Sequence, residues 1–266
     1  MDISYYWGND RTRRCQYAKT HTKEMEEKYL KDIIESVKYT KEYFPNSTFD
    51  EKMKQLENMQ VYIYPENSVE AIFNHSEGRT AVLNFASYKE PGGRFIEGSR
   101  AQEESLCADS FLYNVLKRED DYYRWNKQHL KYSLYLNRAL YTPDIKFFKK
   151  EKEIKCDVIT CAAPNITPSR KYCWGITEEE NTRVLDSRIN FVLDIAEDNK
   201  VDTLILGAFG CGVFGQDATE VARIFTKYLK THKVFKKVIF AIPCNIHVDN
   251  YNKFKKVLEE ESTKWR

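Results

Sequence analysis

The chain has 266 residues, of which 42% are hydrophobic and 14% aromatic, a composition that supports a real core and excludes a disordered chain. Its 42 basic and 40 acidic residues leave a net charge of +2, so no strong field attracts nucleic acid or a membrane surface, and direct nucleic-acid binding is not expected. No apolar run reaches the ~18 residues of a membrane span. The opening residues, MDISYYWGNDRTRR, lack the apolar core of a signal peptide.

The cysteines and histidines indicate neither a disulfide framework nor a metal site. Seven cysteines are scattered without a C-x-x-C pair, and the five histidines show no metal-ligand spacing. We therefore expect reduced thiols, no metal or other cofactor, and a cytoplasmic protein.

The N-terminal part of the chain, up to about residue 58, is predicted to be a helical extension packed on the domain. Residues 20–44 form its helix, in which an apolar residue recurs at every fourth position: Met25, Tyr29, Ile33 and Val37. Arg11, Arg13 and Arg14 could touch phosphates, but a solvated basic face is the preferred interpretation. Residues 59–64 alternate in polarity and are predicted to form a strand.

The central stretch, residues 81–112, combines a strand, a glycine-rich loop and a helix. An apolar run over 81–86 predicts a buried strand, and Gly92, Gly93 and Gly98 lie in the loop after it. A helix is predicted from Glu103 to about Lys117. Backbone N–H groups at such a loop and helix start form a natural anion site. Two glutamates at that same helix start are either ordinary N-terminal acids, which the helix dipole favours, or functional groups.

The rest of the chain alternates strands with helices. Residues 117–135 are rich in Tyr and basic residues, which favours an amphipathic surface segment over a base-stacking surface. Residues 140–148 are predicted to be a connection, 156–163 a strand, and the following residues up to Thr177 a polar loop. Thr177 and Asp217 begin capping boxes of two helices. Further strands are predicted at 203–206 and 238–242 and a last helix at 249–261. This order predicts one α/β layered domain, residues 1–266, with a largely parallel sheet.

A second glycine-rich loop follows the strand at 203–206. It holds four of the ten glycines, and the first loop holds three. In open α/β sheets ligands bind beyond the carboxyl ends of the strands, so both loops can reach one crevice. Taken alone, the second loop is a weak phosphate signal, because it lacks the Lys-Ser/Thr of a nucleotide-hydrolase loop.

Four blocks of sequence carry a resemblance to a known family: NFA at 84–86 with PGG at 91–93 and AQEESL at 101–106, LYTPD at 140–144, AAPN at 162–165, and LGAFGCGVFG at 206–215. Together they resemble the microbial-type poly(ADP-ribose) glycohydrolases, which are macrodomains with a triple glycine followed after six to eight residues by Gln-Glu-Glu. The spacing matches, but Arg94 stands where the third glycine belongs. The resemblance covers the chain from about residue 80 onward. It implies a three-layer α/β/α sandwich with a mixed, mostly parallel sheet and an N-terminal helical extension.

The resemblance also implies a function and roles for individual residues. The implied enzyme removes ADP-ribose from poly(ADP-ribose), free or attached to protein. Glu104 would be the acid/base, Glu103 would orient the ribose hydroxyls and Gln102 would support the site. The remaining implied substrate-binding residues are Asn84, Gly92, Gly93, Arg94, Asn165, Gly207, Ala208, Gly210, Cys211, Gly212, Val213, Phe214 and Gly215.

Several roles stay open at this point. Asn84 and Asn165 could satisfy local backbone groups or contact the ligand. Phe214 is preferred as a ligand wall over a core residue, and Arg94 could pair with phosphate or narrow the crevice. Two other functions are compatible with the sequence: a hydrolase of single ADP-ribose units on protein or nucleic acid, and a module that binds ADP-ribose without turnover. The Gln-Glu-Glu motif favours an enzyme.

The implied reaction passes through an oxocarbenium-like state and needs a carboxylic acid to protonate the leaving oxygen. Neighbouring residues on a helix point about 100° apart, so Glu103 and Glu104 are not expected to act as a facing pair. A helix N-terminus lowers a carboxyl pKa, whereas an acid needs it raised. Desolvation by the ligand would have to prevail, or a substrate phosphate would deliver the proton.

Overall fold

The computed structural model describes residues 8–49, 55–56, 58–172, 175–244 and 248–262. The N-terminal extension predicted over about 1–58 therefore lies only partly within the described residues, and the first seven residues lie outside them. The helices and strands, in chain order, are α1 Arg11–Tyr39, β1 Lys41–Tyr43, β2 Gln60–Tyr64, α2 Ser68–His75, β3 Thr80–Phe85, α3 Gln102–Ala108, α4 Leu112–Leu116, α5 Asp120–Gln128, β4 Ala139–Lys149, β5 Lys152–Cys161, α6 Thr167–Tyr172, α7 Glu178–Asp198, β6 Thr203–Leu206, α8 Ala218–Leu229, β7 Lys237–Ala241 and α9 Val248–Ser262. Among these residues, no helix combines the length and apolar character needed to cross a bilayer.

The strands form one mixed sheet in the order β1-β4-β5-β3-β6-β7-β2. The pairs from β5 through β3, β6 and β7 to β2 are parallel, and β4 runs antiparallel to both β1 and β5. The predicted mixed, mostly parallel sheet is therefore confirmed. Because β3, β5 and β6 are parallel neighbours, the loops that follow them leave from the same edge of the sheet.

Side chains of the central strands alternate between two cores, as the two-residue period of a strand requires. On β3, Ala81 and Leu83 pack with α7, α8 and α9 on one face, and Val82 packs with α1, α2, α3 and α4 on the other. Helices thus cover both faces of the sheet. Asn84 is two positions after Val82 and therefore faces the same side of the sheet, toward the layer that contains α3.

Two predictions about secondary structure are wrong at the centre of the chain. The helix predicted from Glu103 to Lys117 is two short helices, α3 and α4, separated at residues 109–111. The connection predicted over 140–148 is strand β4, in which the register with β5 shifts between Thr142 and Ile145. Pro143, which cannot donate a ladder hydrogen bond, and the positive φ of Asp144 lie within that irregularity.

The predicted N-terminal helix exists but begins earlier, at Arg11, because the Asp10 carboxylate accepts hydrogen bonds from the N–H groups of Thr12 and Arg13. A solvated face is a correct description of Arg11 and Arg13, whose charged ends are exposed in ion pairs. It is wrong for Arg14, which is only 7% exposed.

Both predicted N-caps are confirmed. The Thr177 hydroxyl accepts from the N–H of Glu180 at the start of α7, and the Asp217 carboxylate accepts from the N–H groups of Thr219 and Glu220 at the start of α8. The predicted polar loop before Thr177 instead contains the short helix α6.

A buried ionic contact joins α7 to the segment after α8. His232 Nε2 lies 2.9 Å from Asp194 Oδ1 and 3.8 Å from Glu197 Oε2, and its Nδ1 lies 3.0 Å from the Tyr228 carbonyl. Burial acts to lower the pKa of His232, but the hydrogen bonds and the two carboxylate charges outweigh it and raise the pKa above 6.5.

A histidine with a raised folded-state pKa stabilises the fold fully below its unfolded pKa, and this stabilisation is lost as the pH rises through the folded value. We therefore expect the free energy of unfolding to fall between pH 6.5 and alkaline pH in the wild type, and this slope to be smaller in His232→Gln. Urea unfolding across that range measures it. Equal slopes in the two proteins would show that the His232 contact is not ionic.

Candidate active site

The carboxylates at the start of α3 are bound by backbone N–H groups of the loop before it. Glu104 Oε1 accepts from the N–H of Arg94 and Oε2 from the N–H of Ala101, both at 2.9 Å. Glu103 Oε2 accepts from the N–H of Ser87 at 2.7 Å. The first glycine-rich loop therefore uses these three donors to bind the protein's own carboxylates. The expectation that its other N–H groups bind an anion stays a prediction.

Glu103 is almost fully buried, at 3% exposure. Burial raises its pKa well above the ordinary 4.5; the Ser87 N–H lowers it, the charge of Glu104 raises it, and the hydrogen bond from Asn84 lowers it. Burial prevails, so the conflict between helix dipole and desolvation is resolved in favour of desolvation at Glu103.

Asn84 and Gln102 connect this pair to strand β3. Asn84 Nδ2 lies 3.2 Å from Glu103 Oε1 and 3.3 Å from Thr160 Oγ1, and Asn84 has no exposed surface. Gln102 accepts from the N–H of Phe85 at 2.9 Å and donates to the Leu83 carbonyl at 2.8 Å. Both side chains hold α3 against the strand. Asn84 therefore supports Glu103, while its Oδ1 has no hydrogen-bond partner among the described residues. Its contact with a ligand stays a prediction.

Gly93 allows the two carboxylates to approach the loop closely. A Cβ at this position would lie 2.7 Å from Glu104 Oε1 and 2.9 Å from Glu103 Oε2, and its φ is +60°. The two carboxylates start in different directions on the helix, yet both bend to this one point. Gly92 has a φ of +64°, and a Cβ added there would lie 2.7 Å from the Tyr113 ring and 3.1 Å from the Cys107 Sγ.

The side chain of Arg94 pairs with a neighbouring carboxylate at the surface. Its Nε donates to Glu97 Oε2 at 2.9 Å and its guanidinium is 61% exposed. Its φ is not among the positive values of the described residues, so the backbone there does not require glycine. The arginine therefore fits in the loop because its backbone N–H is the group that binds Glu104, while its side chain points to Glu97.

The second glycine-rich loop, residues 207–217, differs from the first in how its backbone N–H groups are hydrogen-bonded. Gly215 N–H bonds to the Gly212 carbonyl, and the carbonyls of Val213, Phe214 and Gly215 accept from Thr167, Ile166 and Arg170 of the neighbouring segment. In the part of the chain that the structure describes, the N–H groups of Gly212, Val213 and Phe214 donate to no protein acceptor. A Cβ at Gly212 would meet no described atom within 4 Å. This loop thus presents free donors with open space in front of them.

The remaining predicted residues of this loop are closely packed. A Cβ added at Gly207 would lie 2.8 Å from the Ala241 carbonyl oxygen and 3.0 Å from the Phe85 ring. A Cβ added at Gly210, whose φ is +77°, would lie 2.7 Å from the Ala163 side chain. Ala208 and Cys211 are half-buried. Burial raises the pKa of Cys211 to about 12, so its thiol is not a nucleophile at neutral pH.

An aromatic wall joins the two loops. Tyr88 of the first loop stacks on Tyr135 with ring centroids 4.2 Å apart, and Tyr135 meets the edge of Phe214 at 6.3 Å. Asn165, at the end of β5, donates its N–H to the Ser133 carbonyl at 2.9 Å. The predicted residues of both loops and of the β5 end therefore gather at one edge of the sheet.

Tyr88 and Tyr135 were missed by the sequence analysis. Tyr135 belongs to the Tyr-rich stretch that was predicted to be an amphipathic surface segment, and it lies on the buried side of that segment, at 6% exposure. Its φ of +61° turns it toward Phe214. A positive φ is unusual for a tyrosine, and no pattern of residues in the sequence predicts it.

The family model that matches the chain is that of microbial-type PARG, catalytic domain, and it covers residues 9–150. The chain belongs to this family. The match includes α1, β3, the first glycine-rich loop and α3. A comparison with curated proteins found no match.

Solved structures of this family have the same architecture. Poly(ADP-ribose) glycohydrolase from Thermomonospora curvata is 26% identical, with a TM-score of 0.80 over 93% of this chain and 100% of that one. The same enzyme bound to the inhibitor ADP-HPD is 27% identical, with a TM-score of 0.80 over 92% and 99%. The enzyme from Deinococcus radiodurans in complex with ADP-ribose is 27% identical, with a TM-score of 0.74 over 86% and 97%. The macrodomain-like fold of the family is thus the fold of this chain.

Gly93→Ala tests the close approach of the carboxylates. The new methyl group would clash with both of them and would adopt a positive φ, so we expect a large loss of stability. Gly175→Ala is the matched control, because its φ is +75° and no described atom lies within 4 Å of the added Cβ. Strain of about 1 kcal/mol should lower the melting temperature of the control by about 2–4 °C, and Gly93→Ala should lower it by at least twice as much. Equal losses would mean that the carboxylates move aside without cost.

Proposed function

We propose that this chain is a poly(ADP-ribose) glycohydrolase, which cleaves the ribose–ribose O-glycosidic bond of the polymer and releases ADP-ribose. The observation that carries this proposal is the pair of buried glutamates bound by backbone N–H groups at the start of α3, across a shared sheet edge from the second glycine-rich loop. A module that only binds an anionic ligand has no use for two carboxylates beside it. Relatives named as poly(ADP-ribose) glycohydrolases support the same function.

Binding of the diphosphate is assigned to the second glycine-rich loop. Three consecutive N–H groups, at 212–214, have no protein acceptor within the described residues, and such groups bind phosphate oxygens as a backbone nest. The net charge of +2 does not attract anions over a distance, so affinity has to come from these local donors. Phe214 and the stacked Tyr135 form the apolar wall beside them.

Proton transfer is assigned to Glu104, as the family pattern implies. Its two N–H partners, on Arg94 and Ala101, fix the carboxylate beside Gly93, where the loop leaves the least bulk. Glu104 would protonate the leaving ribose oxygen and then take a proton from the attacking water. Glu103, whose pKa burial raises, is assigned to the orientation of the ribose hydroxyls by hydrogen bonding.

The raised pKa of Glu103 supports a second assignment, in which Glu103 is the proton donor. A general acid needs a proton at the working pH, and burial shifts the pKa of Glu103 in the direction that favours one. The two assignments share the same reaction and differ only in which carboxyl transfers the proton. Glutamine variants of the two residues separate them.

The setting of the enzyme is part of the proposal. We take residues 1–266 as one catalytic domain, because α1 lies within the family match and packs on α4 and β4. The described cysteines are free thiols, which suits the reducing cytoplasm. The substrate is poly(ADP-ribose), free or attached to protein; nucleic acid itself is not proposed as a ligand.

Glu104→Gln keeps the size of the side chain and one of the two acceptor oxygens that bind backbone N–H groups, but removes the titrating proton. Loss of a general acid costs about 10²–10⁴-fold in rate, so we expect ADP-ribose release from labelled poly(ADP-ribose) to fall at least a hundredfold while the Kd for ADP-ribose changes little. Glu103→Gln should weaken both rate and affinity. A mono-ADP-ribosylated protein serves as the comparison substrate.

Three results would change this account. An active Glu104→Gln enzyme with an inactive Glu103→Gln enzyme would transfer the acid role to Glu103. Full activity in both variants would refute the glutamate mechanism. Turnover of the mono-ADP-ribosylated protein alone would refute polymer as the substrate.

Arg94→Gly restores the glycine of the family signature. Because the Arg94 side chain pairs with Glu97 at the surface, its removal should change turnover and ADP-ribose affinity by no more than about twofold, the size of an ordinary surface substitution. Steady-state kinetics and calorimetry measure the two quantities. A tenfold gain in turnover would show that the arginine crowds the substrate, and a tenfold loss of affinity would show that it binds phosphate.

A further inference from the structure

Helix α1 presents three polar side chains that the proposed reaction does not use. Arg14, Tyr17 and His21 are three and four positions apart, a spacing that places them on one face of a helix. They are 7%, 3% and 6% exposed. Buried polar groups are costly unless they form hydrogen bonds, so their partners show what this face of α1 does.

Each of the three side chains binds a backbone carbonyl next to the catalytic helix. Arg14 Nε donates to the Gly98 carbonyl at 2.7 Å, the Tyr17 hydroxyl donates to the Ala108 carbonyl at 3.1 Å, and His21 Nε2 lies 2.8 Å from the Ser110 carbonyl. Gly98 precedes α3, Ala108 is its last residue and Ser110 follows it. The carbonyls of a helix end lack partners within the helix, and Tyr17 of α1 supplies a donor for that of Ala108.

The loop and α1 are in contact at the backbone as well. A Cβ at Gly98 would lie 2.8 Å from the Arg11 carbonyl and 3.1 Å from the N–H nitrogen of Cys15, and the φ of Gly98 is +74°. Phe95, fully buried in the same loop, meets the ring of His21 edge-on at 6.3 Å. This contact leaves no space for independent movement of the loop.

Helix α3 needs outside support. It has seven residues, and isolated helices shorter than about 12–15 residues are marginal in water. The position of α3 nevertheless determines where Glu103 and Glu104 lie. Their carboxylates are also bound to the first glycine-rich loop, which contains Gly98. A displacement of about 1 Å at a catalytic group can cost a hundredfold in rate.

We propose that Arg14, Tyr17 and His21 are positioning residues, which clamp the catalytic helix α3 at both ends through the carbonyls of Gly98, Ala108 and Ser110. This carbonyl clamp rests on the proposed function, since its role is to place the two glutamates for hydrolysis. It makes α1 a part of the active-site framework in addition to its role in the core.

Two variants and one matched control test the carbonyl clamp. Tyr17→Phe removes a single hydroxyl from the clamp, and Arg14→Met removes the guanidinium donors from a stem of similar length. Tyr29→Phe is the control, because Tyr29 lies on the same helix and its hydroxyl contacts Glu153, 3.5 Å away, and not α3. The measurements are kcat and KM for poly(ADP-ribose), the Kd for ADP-ribose, and hydrogen–deuterium exchange of the peptide that spans residues 98–110.

We expect kcat to fall several-fold in Tyr17→Phe and by about tenfold or more in Arg14→Met, with the ADP-ribose Kd within twofold of the wild type. Exchange should rise in residues 98–110 and should not rise in the second glycine-rich loop. Arg14→Lys, which keeps donors on a long stem, should recover part of the loss. Tyr29→Phe should leave kcat and the exchange of residues 98–110 unchanged.

Unchanged exchange at 98–110 in both clamp variants would overturn the proposal, as would losses of kcat no larger than that of Tyr29→Phe. The exchange measurement needs no turnover, so it separates this proposal from the proposed function. A wild-type chain that does not cleave the polymer would refute that function, and the clamp as a structural device would then stand or fall on exchange alone.

Discussion

The structure depends on the hydrogen bonds between backbone N–H groups and two adjacent carboxylates at the start of α3. Burial of such groups is costly without donors, and the N–H groups of Ser87, Arg94 and Ala101 supply them. This requirement determines the path of the first glycine-rich loop, including the glycine at position 93 that leaves space for both carboxylates. It also explains a polar residue inside the buried strand β3, because Asn84 hydrogen-bonds to Glu103.

The two glycine-rich loops have separate tasks although both follow parallel strands. The first loop donates hydrogen bonds to Glu103 and Glu104. The second leaves three consecutive donors free within the described residues. In the proposed function, this division would place the carboxylates and the diphosphate on different backbone donors, which would limit the repulsion between like charges in one crevice. Tyr135 connects the two loops, because it stacks on Tyr88 of the first loop and contacts Phe214 of the second.

Local signals in the sequence predicted much of this fold. The capped helices at Thr177 and Asp217 and the buried strands were predictable, because capping and burial are properties of neighbouring residues. The break between α3 and α4, the strand character of residues 139–149 and the burial of Arg14 were not. Each of these involves a partner distant in sequence: Ser110 in the break bridges to Phe147, β1 pairs with β4, and the Gly98 carbonyl accepts from Arg14. Glu103 and Glu104 were predictable as a motif, whereas the raised pKa of Glu103 became visible only with its burial.

A crystal structure of the chain with ADP-ribose bound is the most direct test of the account. The account predicts the diphosphate on the N–H groups of Gly212, Val213 and Phe214, and the terminal ribose beside Gly93, within hydrogen-bond distance of Glu103 and Glu104. Both carboxylates should keep their bonds to Ser87, Arg94 and Ala101. ADP-ribose bound elsewhere, or bound at the second loop with its terminal ribose away from the two glutamates, would contradict it.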